Sequence, residues 1–580
     1  MGPAHAPSAP VPLRARVDAV DPLRRALFGC AGAMLLAALV LPAILAQPAT
    51  ITTYFFAGDT ACLLGLAVFL GFAAVATPSA RLGGWVRFEH APARSAAAIA
   101  VLLAAVALAG TVLVHHGIGL SYDEVMAAFD ARIFLGGRLI APLAPEWRHS
   151  VPALAPSFVL PVPGDTAWAS SYLPVNAAFR AAFALAATPA LTGPVLAAVA
   201  VLAVAGIARR LWPERPDAAL VAALMLATSP QVVVTAMTPY AMTAHLALNL
   251  VWLWLFLRGG RLGHGGAVAA GFLACGLHQV IFHPLFAAPF LFGLVAARRW
   301  RLSAVYLVAY GLIGTFWTLY WQGVLLASGH AGTGAGVGAG YMAGKLAALL
   351  HDFDRRGLDV MAMNLVRFLA WQSPLLLPLA VAALPAVRRG AALARPLAFG
   401  IALTVAAMFV LLPFQGHGWG YRYLHGLIGS ACLLAAQGWV ELSRAMAART
   451  RAAAAATLGF GWLSACLVLI PGRGIEVERF VAPYAGALAA IANDPAETIL
   501  VDARALVYGA DLVRNDPYLR DGRVVATIQG LDPARLADLC ARGRVALFGA
   551  AEGARFGIAR ADATPAALPP SCPVRPVRLP

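Results

Sequence analysis

From residue 26 to residue 471 the chain is a succession of apolar runs, many of them close to the roughly 20 residues that a helix needs to cross a bilayer. This pattern limits the fold more than any other feature. In lipid no water is present to satisfy the backbone, so each run must pair its N–H and C=O groups within its own segment. The expected fold class is an all-α polytopic membrane protein with about thirteen transmembrane helices. Composition agrees: 61% of the 580 residues are hydrophobic and 12% are charged, whereas a soluble chain carries about 25% charge.

The net charge of +16 does not point to nucleic acid. No basic stripe is interleaved with aromatics, and much of the excess is arginine in short loops between the runs. That is the positive-inside signal of topology. Arg81/Arg87/Arg94, Arg209/Arg210/Arg215, Arg258/Arg261, Arg298/Arg299/Arg301, Arg388/Arg389/Arg395 and Arg444/Arg449/Arg451 mark the cytoplasmic side. The spans between them fall near 26–46, 55–77, 95–116, 190–208, 217–236, 241–258, 266–282, 284–297, 302–324, 373–387, 396–414, 422–440 and 452–471. The pair at 266–297 is read as broken at His283-Pro284. The first run follows a polar leader too long for a signal peptide.

This reading divides the chain into a cytoplasmic disordered tail at 1–25, a transmembrane domain at 26–471, and an extracytoplasmic α/β domain at 472–580. Two large outer loops, 117–175 and 325–372, interrupt the spans. In the C-terminal region "ETILVDARALVYG" and "GRVALFGA" read as strands, and 481–493 and 533–542 as helices. Cys540 and Cys572 lie there and can form a disulfide if the compartment is oxidising. The N-terminus is expected in the cytoplasm and the whole protein in the cytoplasmic (inner) membrane.

The first outer loop opens with "SYDEV", two adjacent carboxylates where an apolar run ends. Ser121 followed by Glu124 is a capping-box spacing, so one reading is an ordinary helix start. The other is a catalytic acid at the membrane surface. "YDEVMAAFDARIFLGGRL" (122–139) resembles the first-loop signature of the GT-C glycosyltransferases, which include protein O-mannosyltransferases and lipid A aminoarabinose transferases. "GWGYRYLHG" (418–426) resembles a Gly/aromatic/Arg-Tyr stretch found late in some members, and the layout of many spans with large outer loops is similar. Here the acidic loop follows the third span rather than the first, which makes residues 26–77 an additional N-terminal hairpin.

The resemblance implies an enzyme that moves a hexosyl or pentosyl group from a polyprenyl-phosphate-linked donor to a glycan, lipid or protein acceptor on the outer face. Asp123 is then the general base that takes the acceptor's proton. Glu124 is a second carboxylate of the site, beside a divalent metal or as the cap partner. Arg422, with Tyr421, His417 and His425 nearby, receives the donor phosphate. No cofactor is required, and a divalent metal stays open. His278, His283 and Arg367 are possible substrate contacts. Asp130, seven residues after Asp123, is expected to pair with Arg132 or Arg138 or to face solvent. Trp317, Trp321 and Trp371 read as interfacial belt residues, and Trp168 as a headgroup-level anchor. The Gly-rich run at 332–340 lacks the Lys-Ser/Thr of a phosphate loop and reads as a linker. Two other classes use the same composition: a multi-span transporter or flippase, and a non-catalytic scaffold. No convincing internal repeat supports the first.

Overall fold

The computed structural model describes residues 22–76, 93–330, 355–391, 393–444 and 446–562, with parts of 564–579. The tail before Pro22, Arg81, Arg87, the Gly-rich run at 332–340 and Lys345 lie outside the described residues.

The chain is an integral, multi-pass membrane protein built of helices. In order they are α1 (Pro22–Ile44), α2 (Ile51–Ala76), α3 (Ala93–Leu113), α4 (Tyr122–Leu135), α5 (Val175–Ala186), α6 (Thr192–Leu211), α7 (Pro216–Ala227), α8 (Pro230–Ala236), α9 (Met242–Arg258), α10 (Gly260–Cys275), α11 (Phe282–Ala296), α12 (Trp300–Ala327), α13 (Arg355–Ala370), α14 (Leu376–Ala382), α15 (Leu384–Arg389), α16 (Ala394–Leu411), α17 (Ile428–Arg444), α18 (Ala448–Ser464) and α19 (Ile470–Asn493). Seven helical stretches among the described residues are long and apolar enough to cross a bilayer alone. Their outer faces show why lipid is required. In α1, Leu23, Leu27 and Met34 are buried, while Leu36 and Leu39 are 64% and 63% exposed. A helix that is apolar all round and buried on one side only needs an apolar solvent on the other.

Several runs are not single rods. The run at 217–236 is two helices, α7 and α8, bent by 59°. The break in the pair at 266–297 falls between Cys275 and Phe282 rather than at His283-Pro284. Pro284 sits in the first turn of α11, where its missing N–H costs nothing. The run at 422–440 begins as a 3₁₀ turn, Arg422–Leu427, before α17. The last span does not stop at 471. It continues through a π-helical turn at Ala465–Leu469 into α19, giving a 44-residue helix from Thr450 to Asn493. At 1.5 Å per residue that is about 66 Å, against about 30 Å of hydrocarbon, so close to half of it stands beyond the membrane.

In the loop 117–175 the short strands β1 (Ala141–Pro142) and β2 (Ala167–Trp168) pair antiparallel. Beyond α19 lie β3 (Thr498–Val501), β4 (Val524–Thr527), β5 (Val545–Phe548) and β6 (Arg575–Pro576), and the projecting end of α19 carries them as a four-stranded parallel sheet of order β4-β3-β5-β6. Only "TILV" of the longer stretch read as a strand is one, because Ala503–Ala505 turns as 3₁₀. β4 and the two-residue β6 are strands that sequence reading passed over. The helix at Pro533–Ala541 crosses from β4 to β5, and Cys540 in it is disulfide-bonded to Cys572.

This α/β unit is seated on the loop 117–175. Tyr122 Oη donates to the Val513 carbonyl at 2.6 Å, and Asn515 Nδ2 to the Leu154 carbonyl at 2.8 Å. Trp168 is not a membrane anchor. It is fully buried between loop and sheet, and its indole N–H reaches the Pro517 carbonyl at 2.7 Å. The belt reading also fails for Trp371, which is buried and donates to Asp59 Oδ1 at 2.9 Å, and for Trp317, which is buried and donates to the Phe272 carbonyl at 2.8 Å. Indole N–H groups this deep find an internal acceptor instead of a headgroup.

Asp59 is the centre of a buried charge cluster joining α2, α13 and α19. Its Oδ1 is 2.9 Å from Arg473 Nη2 and its Oδ2 is 3.9 Å from Arg367 Nε, while Arg473 Nη1 pairs with Glu476 at 2.5 Å. Two acids and two guanidinium groups balance. Arg473 lies over the Trp371 ring and Arg367 over that of Phe55, each 4.6 Å from the centroid. Breaking a buried pair by removing one partner leaves an uncompensated charge and costs about 3–5 kcal/mol; an exposed pair is worth about 0–1 kcal/mol. Replacing Asp59 with Ala is therefore expected to lower thermal stability in detergent by several kcal/mol. Glu441→Ala, which removes the partner of the more exposed Arg389 at 2.7 Å, changes it by less than about 1 kcal/mol. Melting of the two variants side by side checks the difference.

Candidate active site

α4 starts just after Gly119, where a Cβ would lie 2.9 Å from Glu124 Cβ and 3.3 Å from Pro239 Cγ, and the two acids at its start receive opposite environments. Successive residues on a helix point about 100° apart. Glu124 turns back over the helix end. Its Oε2 accepts the backbone N–H groups of Leu120 and Ser121, both at 2.9 Å, which is the carboxylate half of a capping box. Its Oε1 has no partner among the described residues. Ser121 Oγ lies 2.7 Å from Tyr240 Oη. Glu124 is thus held as a structural cap one shell behind the cleft.

Asp123 points into the cleft. Its Oδ1 accepts the Tyr172 hydroxyl and its Oδ2 accepts Arg422 Nη1. Arg422 comes from a position 299 residues later. Asp123, Asp130, Tyr172, Asn176, Tyr240 and His278 line the same cavity. The His278 ring lies against Tyr172, with centroids 4.3 Å apart, and neither of its nitrogens has a protein partner among the described residues. Arg422 Nε and His417 Nε2 are likewise without acceptor or donor there. A guanidinium with one N–H on a carboxylate and a buried, unused Nε keeps an unspent donor of a kind that suits phosphate oxygens.

The loop that delivers Arg422 is shaped by its glycines and by Arg367. Gly420 has φ +65, and a Cβ there would lie 2.5 Å from Gln231 Oε1, so only glycine fits. At Gly416 a Cβ would lie 3.0 Å from Arg422 Nη2. Arg367 Nη2 donates to the Gly418 carbonyl at 2.8 Å and Nε to the Gly420 carbonyl at 3.1 Å. Gln415 Oε1 accepts the Arg422 backbone N–H at 3.0 Å, and Gln231 Nε2 donates to the Tyr421 carbonyl at 2.8 Å. Tyr240 Oη donates to the His417 carbonyl at 2.9 Å.

The residues singled out from sequence therefore separate. Asp123, Arg422 and His278 come together, with His417 adjoining through Tyr240. Arg367 is fully buried and is spent on the loop carbonyls and the Asp59 cluster. Tyr421 turns its hydroxyl away, 3.6 Å from Met361 Sδ. His283 has both nitrogens engaged, with Asn249 at 2.8 Å and Tyr310 at 2.6 Å. His425 is buried in the bundle. Asp130 neither faces solvent nor pairs with Arg132 or Arg138. It is buried and its Oδ1 accepts the Ser170 N–H at 2.9 Å, while Arg132 Nη1 lies 3.8 Å from Asp516. The inward face at Asp130 was readable from its seven-residue offset to Asp123. Tyr172, Tyr240 and Gln231 carried no sequence signal beyond their residue type. Asp59 did, as an acid inside an apolar run. No group of three or more metal-ligating side chains occurs among the described residues.

Three neighbouring carboxyls, Asp130 in the cavity wall and Glu124 and Asp511 behind it, stand apart electrostatically from Asp123. Burial works against ionisation of Asp123, yet Arg422, His278 and the Tyr172 hydroxyl overcome it and hold the group below its ordinary value. Burial pushes Glu124, Asp130 and Asp511 up to about 7 each. Asp511 Oδ1 accepts the Tyr122 N–H at 2.8 Å, so it ties the α/β unit to the first residue of α4.

No protein-family model matches the chain, and no curated protein matches it. Two solved structures that align with it are of ArnT from Cupriavidus metallidurans. The apo-state crystal structure shares 12% sequence identity, with a TM-score of 0.43, over 74% of this chain and 85% of that one. The structure bound to undecaprenyl phosphate shares 14%, with a TM-score of 0.44, over 73% and 85%.

An acid whose folded-state pKa is raised favours folding at pH below its unfolded value. That contribution is lost as pH rises through the folded value. For Glu124, Asp130 and Asp511 the window runs from about 4 to about 7. The detergent-solubilised protein is expected to melt at a higher temperature at pH 5 than at pH 8, and Asp511→Asn to reduce the difference. Thermal unfolding across that range is the measurement.

Proposed function

We propose that this chain is a membrane glycosyltransferase that moves a sugar from a polyprenyl phosphate to an acceptor at the outer face of the cytoplasmic membrane. The reading rests on one observation: Asp123, which lines a cavity, is ion-paired with Arg422, whose Nε has no acceptor among the described residues. The first-loop resemblance points to the same chemistry. In this reading 26–471 is the catalytic membrane domain and 472–580 an extracytoplasmic cover, with the N-terminus cytoplasmic.

The chemistry follows from the pair. A hydroxyl or amine acceptor forms its new bond to the anomeric carbon from the side opposite the phosphate. The C1–O bond breaks, and its electron pair leaves with the phosphate. The acceptor's proton passes to Asp123. Charge grows on the departing phosphate, where the unspent donor of Arg422 stabilises it. A single base suffices for such an inverting displacement, and a positioned base contributes about 10²–10⁴-fold. Before the donor arrives Asp123 is a weak base, because Arg422 holds it ionised. A phosphate on Arg422 competes for that guanidinium and returns basicity to Asp123 as the substrate binds. Tyr172 keeps the carboxylate aimed, and both His278 nitrogens and His417 Nε2, without a partner among the described residues, are available to sugar or phosphate oxygens. No step calls for a metal.

Asp123→Asn keeps the shape and the contact to Tyr172, and is expected to lower transfer from labelled polyprenyl-phosphate sugars by about 100-fold or more. Because that variant leaves Arg422 unpaired, Asp123→Asn with Arg422→Gln is the companion. It restores normal accumulation and melting and leaves transfer lost. Wild-type transfer rates in either variant would remove Asp123 from the mechanism.

A further inference from the structure

A second cavity lies between α2 and α19, away from the Asp123 cleft. It has a volume of about 380 Å³ and is lined by Tyr54, Phe55, Gly58, Gly472, Glu476 and Arg479, among others. Two glycines create it. A Cβ on Gly472 would meet no atom within 4 Å, and one on Gly58 would meet only Glu476 Oε1, at 3.2 Å. The inner wall is aromatic, with the Phe480 ring 5.2 Å from Phe55 and 5.4 Å from Tyr54.

Its height in the membrane follows from the lipid-facing side chains. Along the 450–493 helix, Leu467, Val468 and Ile475 are exposed apolar residues, and Ile475 is the last large one before the helix leaves the bilayer. Arg479 stands four residues further, about 6 Å along the axis. On α2, Val68, Phe72 and Val75 are exposed toward one end and Tyr54 stands exposed at the other. Tyr54 and Arg479 thus meet at the level where Tyr and Arg anchor to headgroups. The Glu476 charge is offset by Arg473 at 2.5 Å. Arg479 is exposed and makes no ion pair among the described residues.

We propose that this groove binds one anionic phospholipid of the surrounding bilayer, its phosphate on Arg479 and an acyl chain against Gly58 and Gly472. A groove with an aromatic wall and two glycines, whose one carboxylate is neutralised by Arg473 and whose Arg479 makes no ion pair among the described residues, is complementary to a chain with a phosphate at its end. The groove is a site separate from the transfer cleft and does not depend on the transferase reading. The two share a wall: the His417 ring stacks on Phe480 at 5.5 Å, and its Nδ1 is 3.1 Å from Tyr240 Oη.

The full-length protein, released from nanodiscs of mixed palmitoyl-oleoyl phosphatidylglycerol and phosphatidylcholine, is examined by native mass spectrometry. Wild type is expected to retain one phosphatidylglycerol in preference to phosphatidylcholine. Arg479→Gln is expected to lower that retention about five-fold, the contribution of one cation near a membrane surface. Gly472→Leu projects a side chain into the groove from a Cβ position that meets no atom within 4 Å, and is expected to abolish retention with melting unchanged. Asp123→Asn leaves it unaltered, which separates this site from the transfer cleft. Equal retention of the two lipids by wild type overturns the proposal, as does phosphatidylglycerol retention that neither Arg479→Gln nor Gly472→Leu lowers.

Discussion

Arg367 holds the Gly418 and Gly420 carbonyls from inside the bundle, and the cleft owes its shape to that grip. A guanidinium with no water around it is tolerable only with a counter-charge, which Asp59 provides from α2. Asp59 is in turn shared with Arg473 of the long 450–493 helix, the one that carries the α/β unit. One neutral cluster thus fixes three things at once: the N-terminal hairpin, the helix that leaves the membrane, and the loop that presents Arg422. The helices beneath supply apolar burial, but burial has no direction. The charged hydrogen bonds choose a single arrangement of this loop.

Above that layer sits a second ion pair of different character. Arg422 and Asp123 are also buried, but their coordination is incomplete, since Arg422 Nε and both nitrogens of His278 have no partner among the described residues. The contrast between the two arginine layers is the physical basis for assigning one to structure and the other to chemistry. Arg367 has its donors directed at fixed backbone carbonyls, whereas Arg422 keeps capacity for a ligand. The same division runs through the two adjacent acids. Glu124 is closed onto the helix end, and Asp123 faces the cavity.

The α/β unit contributes to this arrangement by covering it. Tyr122 is gripped through its N–H by Asp511 and through its hydroxyl by the Val513 carbonyl, so the first turn of α4 cannot move without the sheet. The loop 117–175, rich in proline and short of its own ladders, takes its order from that contact. Trp168 and the Asn515–Leu154 hydrogen bond are its fixed points.

Much of the bundle was legible in the sequence because lipid makes length and apolarity sufficient causes of a helix. The acidic pair at the start of α4 was legible too, since a capping spacing and a family-like loop coincide there. Breaks and tertiary partners were not. The 59° bend between α7 and α8 and the unbroken passage from α18 to α19 depend on which neighbours satisfy the backbone, and hydropathy does not record that. His283 and Arg367 look like site residues in one dimension because an ionisable group among apolar ones looks the same whether it is satisfied or waiting. By itself, the sequence determined a multi-span helical membrane protein with acids at a loop start and an arginine far along the chain. Only the tertiary structure decided that Asp123 and Arg422 are paired while Glu124 caps a helix, Arg367 holds loop carbonyls and His283 is bonded to Asn249 and Tyr310. Partner choice across 299 residues is a matter of packing and desolvation, and no local pattern encodes it.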